Sequence, residues 1–278
     1  MLATETSSDA PLLVDAAWLA DTIGRVIPID GTWSMPNDTA SLPNGFIPGS
    51  RVFDLDTVAT PHPTLNHMLP DAKTFAQTVG DMGVSAEDHV VVYDRHGVFS
   101  SPRLWWTFKM FGHAKVSVLN GGLPAWIAAG HSVEKAVTDG KAVTYVPSKP
   151  LAKVVSKAEV LAALGTDAQI IDARPPGRFD ATSPEPRAEL RGGHMPGANN
   201  VPFGSLRTAD SHFKDIEALI EAFASVDPDA PIITSCGSGI TAAGLAFVLA
   251  MLGADDVSVY DGSWAEWGAD SDVPIVGS

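Results

Sequence analysis

Residues 231–253 read PIITSCGSGITAAGLAFVLAMLG and predict a strand, a glycine-rich loop and a helix in direct succession. PIITSC is a continuous run of strand-forming residues, typical of a strand that is buried on both faces of a parallel sheet. TAAGLAFVLAMLG is apolar, has the length of a helix and ends at a glycine. The chain's only cysteine, Cys236, therefore lies where the strand passes into the loop.

The same pattern occurs in the first half of the chain, at residues 89–112, as HVVVYDRHGVFSSPRLWWTFKMFG. Flanking blocks repeat in the same order, with VIPIDGTW, GFIPGSRVFDLD and AKVSVLNGGLPAWIAAG in the first half and AQIIDARPP, GHMPGANNVPFG and ADDVSVYDGSWAEWG in the second. Internal duplication with alternating strands and helices predicts two tandem α/β domains, each a mainly parallel sheet flanked by helices. We place them at 1–140 and 154–278, with a linker at 141–153 that contains two prolines.

Composition and charge exclude several classes of function. The net charge of −15 disfavours nonspecific nucleic-acid binding, because a polyphosphate would meet net repulsion. No apolar run approaches the ~18–20 residues of a membrane-spanning helix, and the acidic amino terminus lacks the pattern of a signal peptide, so we expect a cytoplasmic protein without membrane contacts. A single cysteine excludes an internal disulfide and a thiolate metal cluster. No Walker loop, GxGxxG or HExxH motif is present, so we predict neither a metal nor an organic cofactor.

A basic island stands out in this acidic chain, since four of the 18 basic residues lie between Arg174 and Arg191. One interpretation is a local anion-binding site. The other is a set of solvated arginines that pair with Glu185 and Glu189. Position alone leaves both open.

Cys236 has two interpretations, a small buried apolar residue or a nucleophile. The following residues favour the nucleophile, because a short glycine-rich loop lets successive backbone N–H groups turn inward and the next helix points its positive end at the sulfur. Both features stabilise a thiolate. Phosphatases use a related loop with the pattern Cys-x5-Arg, but Ala242 stands in the place of that arginine, which argues against phosphatase activity.

The duplicated halves, CGSGITA after a strand, DARPPGRFDATSPEPR and GHMPG together resemble the 3-mercaptopyruvate sulfurtransferases of the rhodanese superfamily, over nearly the whole chain. The resemblance implies a persulfide on Cys236, in a cleft between the domains. It also implies that the first domain is catalytically silent, because Asp94 stands at the cysteine position in VVYDRHG. The persulfide-stabilising loop comprises Gly237, Ser238, Gly239, Ile240 and Thr241.

The resemblance further assigns roles to five residues. Arg178 in GRF and Arg187 in PEPR match the substrate-binding arginines of the family, and Ser238 matches a serine that protonates the leaving enolate. Asp56 and His67 match the pair that would support this serine in a Ser–His–Asp relay. Structural alternatives remain open for two of them: His67 as a satisfied histidine at a helix start, and Asp56 as a turn or cap residue.

The implied reaction transfers sulfur from 3-mercaptopyruvate to a thiol, to thioredoxin or to cyanide and releases pyruvate. Thiosulfate sulfurtransferases, the alternative enzymes, typically carry CRKGVTA, whereas Gly237 and Ser238 make this loop neutral and favour a monoanionic donor. A non-enzymatic rhodanese-type binding module and a dedicated sulfur carrier are further alternatives. We expect structural roles for His194, whose copy in the first half is Phe46, and for Arg174, which follows Asp172 and should form an ion pair.

Overall fold

The structure, a computed structural model, describes residues 10–35, 38–39 and 41–277 and contains two parallel five-stranded sheets. The first is built from β1 (Leu13–Val14), β2 (Ile27–Asp30), β3 (Arg51–Val52), β4 (Val90–Tyr93) and β5 (Val116–Leu119). The second is built from β6 (Lys153–Val155), β7 (Gln169–Asp172), β8 (Asn199–Asn200), β9 (Ile232–Ser235) and β10 (Val257–Tyr260). The strand orders, β1-β5-β4-β2-β3 and β6-β10-β9-β7-β8, are the same topology used twice. The predicted fold class is therefore confirmed.

Helices connect the strands in both domains. Their bounds are α1 (Ala16–Thr22), α2 (Leu55–Val58), α3 (Ala72–Asp81), α4 (Ser101–Met110), α5 (Gly122–Ala128), α6 (Lys157–Ala163), α7 (Pro176–Phe179), α8 (Ile216–Ala222), α9 (Ile240–Met251) and α10 (Ser263–Trp267), with a 3-10 turn at Phe203–Leu206. Several begin at a capping side chain, and α6 has a complete capping box between Ser156 and Glu159. Within the described ranges, no helix is long and apolar enough to cross a bilayer. The acidic residues 1–9 lie outside the described part of the chain.

The central strands β4 and β9 are buried at every position, as their continuous apolar runs predict. Each leads from its carboxyl end into a loop and then into a long helix. Carboxyl ends of parallel strands meet at one edge of a sheet, which is where ligands bind in open α/β folds. Asp94 and Cys236 occupy this position in the first and second sheet, respectively.

The two domains share one apolar core, because α4 of the first packs against α9 of the second. Trp105 and Phe247 meet edge-to-face at this contact, with ring centroids 5.0 Å apart. Helix α9 is buried on nearly all sides, which explains why its sequence is apolar throughout rather than amphipathic. An apolar interface of this kind fixes the arrangement of the domains and the cleft between them.

The segment between the sheets is packed against the first domain. Tyr145 is buried, its ring lies edge-on to Phe75 at 5.5 Å, and its hydroxyl is 3.1 Å from Nδ1 of His113. Strand β6 begins at Lys153, which is the last residue of the predicted linker. The limits 1–140 and 154–278 stay predictions.

Candidate active site

Cys236 lies at the carboxyl end of β9 with only 2% of its surface exposed. Its sulfur accepts a hydrogen bond from the Gly239 amide at 3.1 Å, and the Ser263 hydroxyl oxygen is 4.0 Å away. The carbonyl oxygens of Cys236 and Gly237 accept hydrogen bonds from Trp264 and Ala265 at the start of α10, each at 2.9 Å. Because these carbonyls bind α10, the loop can turn an N–H group toward the sulfur.

Glycine is required at position 239 for two separate reasons. Its φ of +87° lies in the left-handed region, which side chains disfavour. A Cβ atom there would stand 2.8 Å from the backbone oxygen of Asp261 and 2.9 Å from Nη1 of Arg103. The close approach of these groups therefore fixes both the conformation of the loop and the residue type.

The first domain holds an anion in the corresponding loop. The buried carboxylate of Asp94 accepts hydrogen bonds from the backbone amides of His96, Ser100 and Ser101 at 2.8–3.0 Å, and from the Ser101 hydroxyl at 2.7 Å. The Asp94 side chain therefore fills the loop of the first domain and occupies its hydrogen-bond donors. The duplicated geometry thus binds an anion in the half of the molecule that has no cysteine.

A cavity of about 580 Å³ opens in front of Cys236 between the domains. The first domain contributes Trp33, Met35 and Phe99 to its wall. The second domain contributes apolar side chains, three arginines and the loop that contains Cys236. The residues from the second domain are Ala173, Arg174, Pro175, Pro176, Arg178, Pro186, Pro202, Phe203, Gly204, Arg207, Cys236, Gly237, Ser238, Ile240 and Thr241. The predicted location in an interdomain cleft matches this geometry.

A smaller cavity of about 260 Å³ is lined by His67 and Arg187. It shares Arg178 and Ser238, among others, with the larger one. The structure thus brings the predicted substrate-binding arginines and the predicted proton-transfer residues to one cleft. Asp56 touches this group through His67.

The Arg178 guanidinium is held against the loop by a buried carboxylate. Its Nε and Nη2 donate to Glu185 Oε2 at 3.0 and 2.5 Å, while Arg174 donates to Oε1 of the same residue at 2.8 Å. A Cβ on Gly237 would lie 3.1 Å from Nη2 of Arg178, so the guanidinium borders the loop directly. Glu185 therefore positions Arg178 and neutralises part of the local positive charge. Arg187 instead donates to the Thr64 carbonyl at 3.0 Å.

His67 contacts the Asp56 carboxylate through Nδ1, and Trp33 donates to the other oxygen of Asp56 at 3.2 Å. The Trp33 and His67 rings meet edge-to-face at 4.6 Å. Burial lowers the pKa of His67, and the neighbouring Asp56 carboxylate opposes this effect. The backbone of His67 has a positive φ of 61°, uncommon for a residue with a side chain.

Ser238 lies in the wall of the same small cavity as His67. Among the described residues, however, no hydrogen bond joins the Ser238 hydroxyl to the His67 ring. The structure therefore brings the two side chains to one site without completing the three-residue chain. A bound substrate would have to complete it, since catalytic hydrogen bonds often tighten only with substrate in place.

Arg103 is a functional candidate that reasoning from the sequence missed. It is 1% exposed on α4, and it donates to the His67 carbonyl at 2.5 Å, to Asp261 Oδ1 at 2.6 Å and to the Gly239 carbonyl at 3.3 Å. Asp261 Oδ2 in turn accepts from the Leu69 amide at 2.7 Å. Arg103 thus joins the His67 segment of the first domain to the cysteine loop of the second. The one available signal was a charged residue within the apolar helical run SSPRLWWTFKM.

Arg174 and His194 have partners within the second domain. Arg174 pairs with Asp172 at 2.7 Å and its guanidinium lies 3.9 Å from the Trp264 ring centroid. His194 stacks on Phe179 at 3.8 Å and its Nδ1 is 2.9 Å from the carbonyl of that residue. Arg174 also lines the larger cavity, whereas His194 lines neither of the two cavities. In the described part of the chain, no group of three or more His, Cys, Asp or Glu residues could hold a metal ion.

Comparison with known proteins agrees with this geometry. Residues 29–129 and 156–270 each match the rhodanese-like domain. The chain is 40% identical to the 3-mercaptopyruvate sulfurtransferase of Escherichia coli (strain K12), over 94% of this chain and 96% of that protein. It is 37% identical to the thiosulfate sulfurtransferase of Gallus gallus, over 92% of each. The crystal structure of SseA from Escherichia coli, described as showing the rhodanese fold of 3-mercaptopyruvate sulfotransferases, superimposes with a TM-score of 0.81 at 38% identity and covers 91% of this chain and 98% of its own.

The two sheets share one topology, and a buried cysteine lies at the cleft between them, which places the chain among tandem-domain α/β proteins with a cysteine site. The chain belongs to the rhodanese family. The resemblance to 3-mercaptopyruvate sulfurtransferases within that family, inferred from the sequence, is confirmed.

Proposed function

We propose that the chain is a 3-mercaptopyruvate sulfurtransferase that carries sulfur as a persulfide on Cys236. The named relatives support this assignment. One observation carries the mechanism: the Cys236 sulfur accepts a hydrogen bond from the Gly239 amide, and Cys236 lines the interdomain cavity. A sulfur anion held by a backbone donor and facing a cavity can attack a donor and then retain the transferred atom.

In the first half-reaction the Cys236 thiolate attacks the sulfur of 3-mercaptopyruvate. A sulfur–sulfur bond forms, the carbon–sulfur bond breaks, and its electron pair passes to the enolate of pyruvate. Arg178 and Arg187 bind the donor carboxylate and stabilise charge on the enolate oxygen, since arginine grips carboxylates with paired donors. Both arginines line the smaller cavity.

The enolate carbon then needs a proton, which Ser238 delivers. His67 and Asp56 support this hydroxyl, with the Asp56 carboxylate orienting the imidazole through Nδ1. The proton comes from the thiol of the donor: burial lowers the pKa of His67, so the neutral imidazole can accept the thiol proton and return it to the Ser238 hydroxyl as that hydroxyl protonates the carbon. This relay is a proposal that rests on the shared cavity and the Asp56–His67 contact.

In the second half-reaction an acceptor removes the outer sulfur and the thiolate leaves. A small thiol, reduced thioredoxin or cyanide can act as acceptor, and no metal or organic cofactor enters either step. The first domain contributes residues to the cleft but does not carry sulfur, because Asp94 fills the corresponding loop. We propose the cytoplasm as the location.

Thiosulfate is the alternative donor, because the chain is also similar to a thiosulfate sulfurtransferase. The loop favours 3-mercaptopyruvate, because Gly237 and Ser238 bring no cation to the sulfur, whereas thiosulfate is a dianion. A purely binding role is disfavoured by the intact loop around Cys236. A dedicated sulfur carrier would share this chemistry, and an assay in which acceptors compete would distinguish such a carrier from a general sulfurtransferase.

Steady-state rates with 3-mercaptopyruvate and with thiosulfate test the assignment directly. We expect a clear preference for 3-mercaptopyruvate, and a strong preference for thiosulfate would reverse the ranking of the two enzymes. After donor treatment the intact protein should gain about 32 Da, one sulfur atom. Cys236→Ser should lose both the mass gain and turnover. Ser238→Ala should slow 3-mercaptopyruvate turnover more than thiosulfate turnover, because only the former requires carbon protonation.

A further inference from the structure

The larger cavity extends beyond what the donor requires. Its volume of about 580 Å³ is in the range of sites for much larger ligands, whereas 3-mercaptopyruvate is a three-carbon acid. The predicted donor residues His67 and Arg187 line only the smaller cavity, while Cys236 lines only the larger one. The part of the larger cavity toward Phe99, Phe203 and Arg207, none of which line the smaller cavity, is therefore left without an assigned occupant.

Most cationic charge beside this region is already neutralised. Arg174 pairs with Asp172 and with Glu185, and Arg178 pairs with the same Glu185. Two arginines and two carboxylates leave no net charge. An anion entering the larger cavity must therefore find its counter-charge elsewhere in the wall.

Arg207 provides that charge. It follows the 3-10 turn in the second domain and lines the larger cavity, and within the described residues its side chain forms no hydrogen bond or ion pair. Its Nε is buried without a hydrogen-bond partner. Burial lowers the pKa of this guanidinium, and the Asp94 carboxylate opposes the effect. A partly buried cation without a bound carboxylate is costly unless a ligand satisfies it.

Two aromatic rings flank this cation. The guanidinium carbon of Arg207 is 5.7 Å from the ring centroid of Phe99 and 5.4 Å from that of Phe203. Phe99 belongs to the first domain and Phe203 to the second, so the pair closes the cleft from both sides. Their faces offer an apolar surface for a short carbon chain, and the guanidinium offers donors for its charged end.

We propose that Arg207, with Phe99 and Phe203, forms a second anion subsite that binds the carboxylate of a small thiol acceptor. The inference rests on the proposed persulfide cycle. The acceptor thiolate attacks the outer sulfur of the Cys236 persulfide, a new sulfur–sulfur bond forms on the acceptor, and the old one breaks. The electron pair returns to Cys236 as thiolate, so that no oxidant or reductant is needed.

Single-turnover sulfur transfer from the loaded protein tests this subsite. Cys236 persulfide is prepared with 3-mercaptopyruvate, excess donor is removed, and loss of the outer sulfur is followed with 3-mercaptopropionate or with 2-mercaptoethanol. The two thiols differ in the carboxylate, and each variant is compared with the unmodified protein for the same thiol. Arg207→Gln should slow the reaction with 3-mercaptopropionate roughly 10- to 100-fold, the effect of one lost charged hydrogen-bonding partner. The reaction with 2-mercaptoethanol should change less than about threefold.

Arg207→Lys keeps the charge but loses the planar fork, so it should fall between the two. Arg25→Gln is the matched control, since Arg25 is exposed on the first domain and its guanidinium donates to the Asp21 carbonyl at 2.7 Å, away from the cavity. Unfolding midpoints of all variants are recorded first, and if Arg207→Gln does not fold, Arg207→Lys carries the comparison. Equal losses with both thiols, no loss with either, or a raised KM for 3-mercaptopyruvate in the first half-reaction would overturn the subsite. Failure of the proposed function looks different, because the unmodified protein would then gain no sulfur.

Discussion

Replacement of Arg103 by methionine tests whether one buried ion pair holds the two halves of the site together. Arg103 and Asp261 side chains are 1% and 5% exposed, and their charged atoms are 2.6 Å apart. Methionine fills much of the same volume but leaves the Asp261 carboxylate buried without its counter-charge. Removing one partner of a buried pair costs about 3–5 kcal/mol, so we expect the free energy of unfolding to fall by about that amount.

The assay is denaturant unfolding followed by tryptophan fluorescence, for single variants and for the pair. Arg103→Met combined with Asp261→Asn removes the stranded charge, so its loss should be clearly smaller than the sum of the two single losses. The matched control is Lys153→Met, which breaks an exposed pair with Asp256 whose side chains are 56% and 50% exposed. That pair should contribute only about 0–1 kcal/mol.

Persulfide formation should also slow in Arg103→Met, because the same guanidinium binds the His67 and Gly239 carbonyls. A loss of stability below about 1 kcal/mol, comparable with the exposed control, would refute the reasoning. So would strict additivity of Arg103→Met and Asp261→Asn, since the interaction energy would then be zero.

Three further variants test other contacts. Gly239→Ala places a Cβ 2.8 Å from the Asp261 carbonyl at a φ of +87°, so we expect a loss of roughly 1–3 kcal/mol in denaturant unfolding, and unchanged stability would contradict it. Burial lowers the pKa of His113 to about 4, because the folded protein accommodates the neutral imidazole better than the charged one. The stabilisation from neutral His113 is present above pH ~6.5 and is lost as the pH falls toward its pKa in the folded protein. His113→Gln should therefore flatten the decline in unfolding free energy between pH 7 and pH ~4.5, and parallel curves would count against it. Glu185→Gln weakens the clamp on Arg178, so the KM for 3-mercaptopyruvate should rise about tenfold, the effect of ~1.4 kcal/mol, with a smaller change in kcat; the reverse pattern in steady-state kinetics would be inconsistent with positioning.

The fold and the cysteine loop could be predicted because their signals are local. A duplicated strand–loop–helix pattern identifies both sheets, and two glycines around Ser238 identify the loop. The resemblance then supplied Asp56 and His67, whose contact the structure contains.

Other parts of the site depend on residues far apart in the chain. Arg103 meets Asp261 and His67 only because α4 packs on α9, and no spacing in the sequence encodes that contact. Arg207 likewise lies beside Phe99 only after the domains have joined. The sequence left two interpretations of the basic island open, an anion-binding site or arginines paired with acidic side chains. The two are compatible in the structure, since Arg178 both pairs with Glu185 and lines the cavity. Charge balance is a property of the assembled site.

The contact between α4 and α9 limits how reactants can reach Cys236. Since the two helices belong to one apolar cluster, prising the domains apart would expose Trp105 and Phe247 to water. Opening by a hinge is therefore opposed by the core itself, and each reactant has to travel along the passage that already exists. A protein acceptor would then have to offer its thiol on a narrow protruding segment, whereas a small thiol would fit into the cavity as a whole.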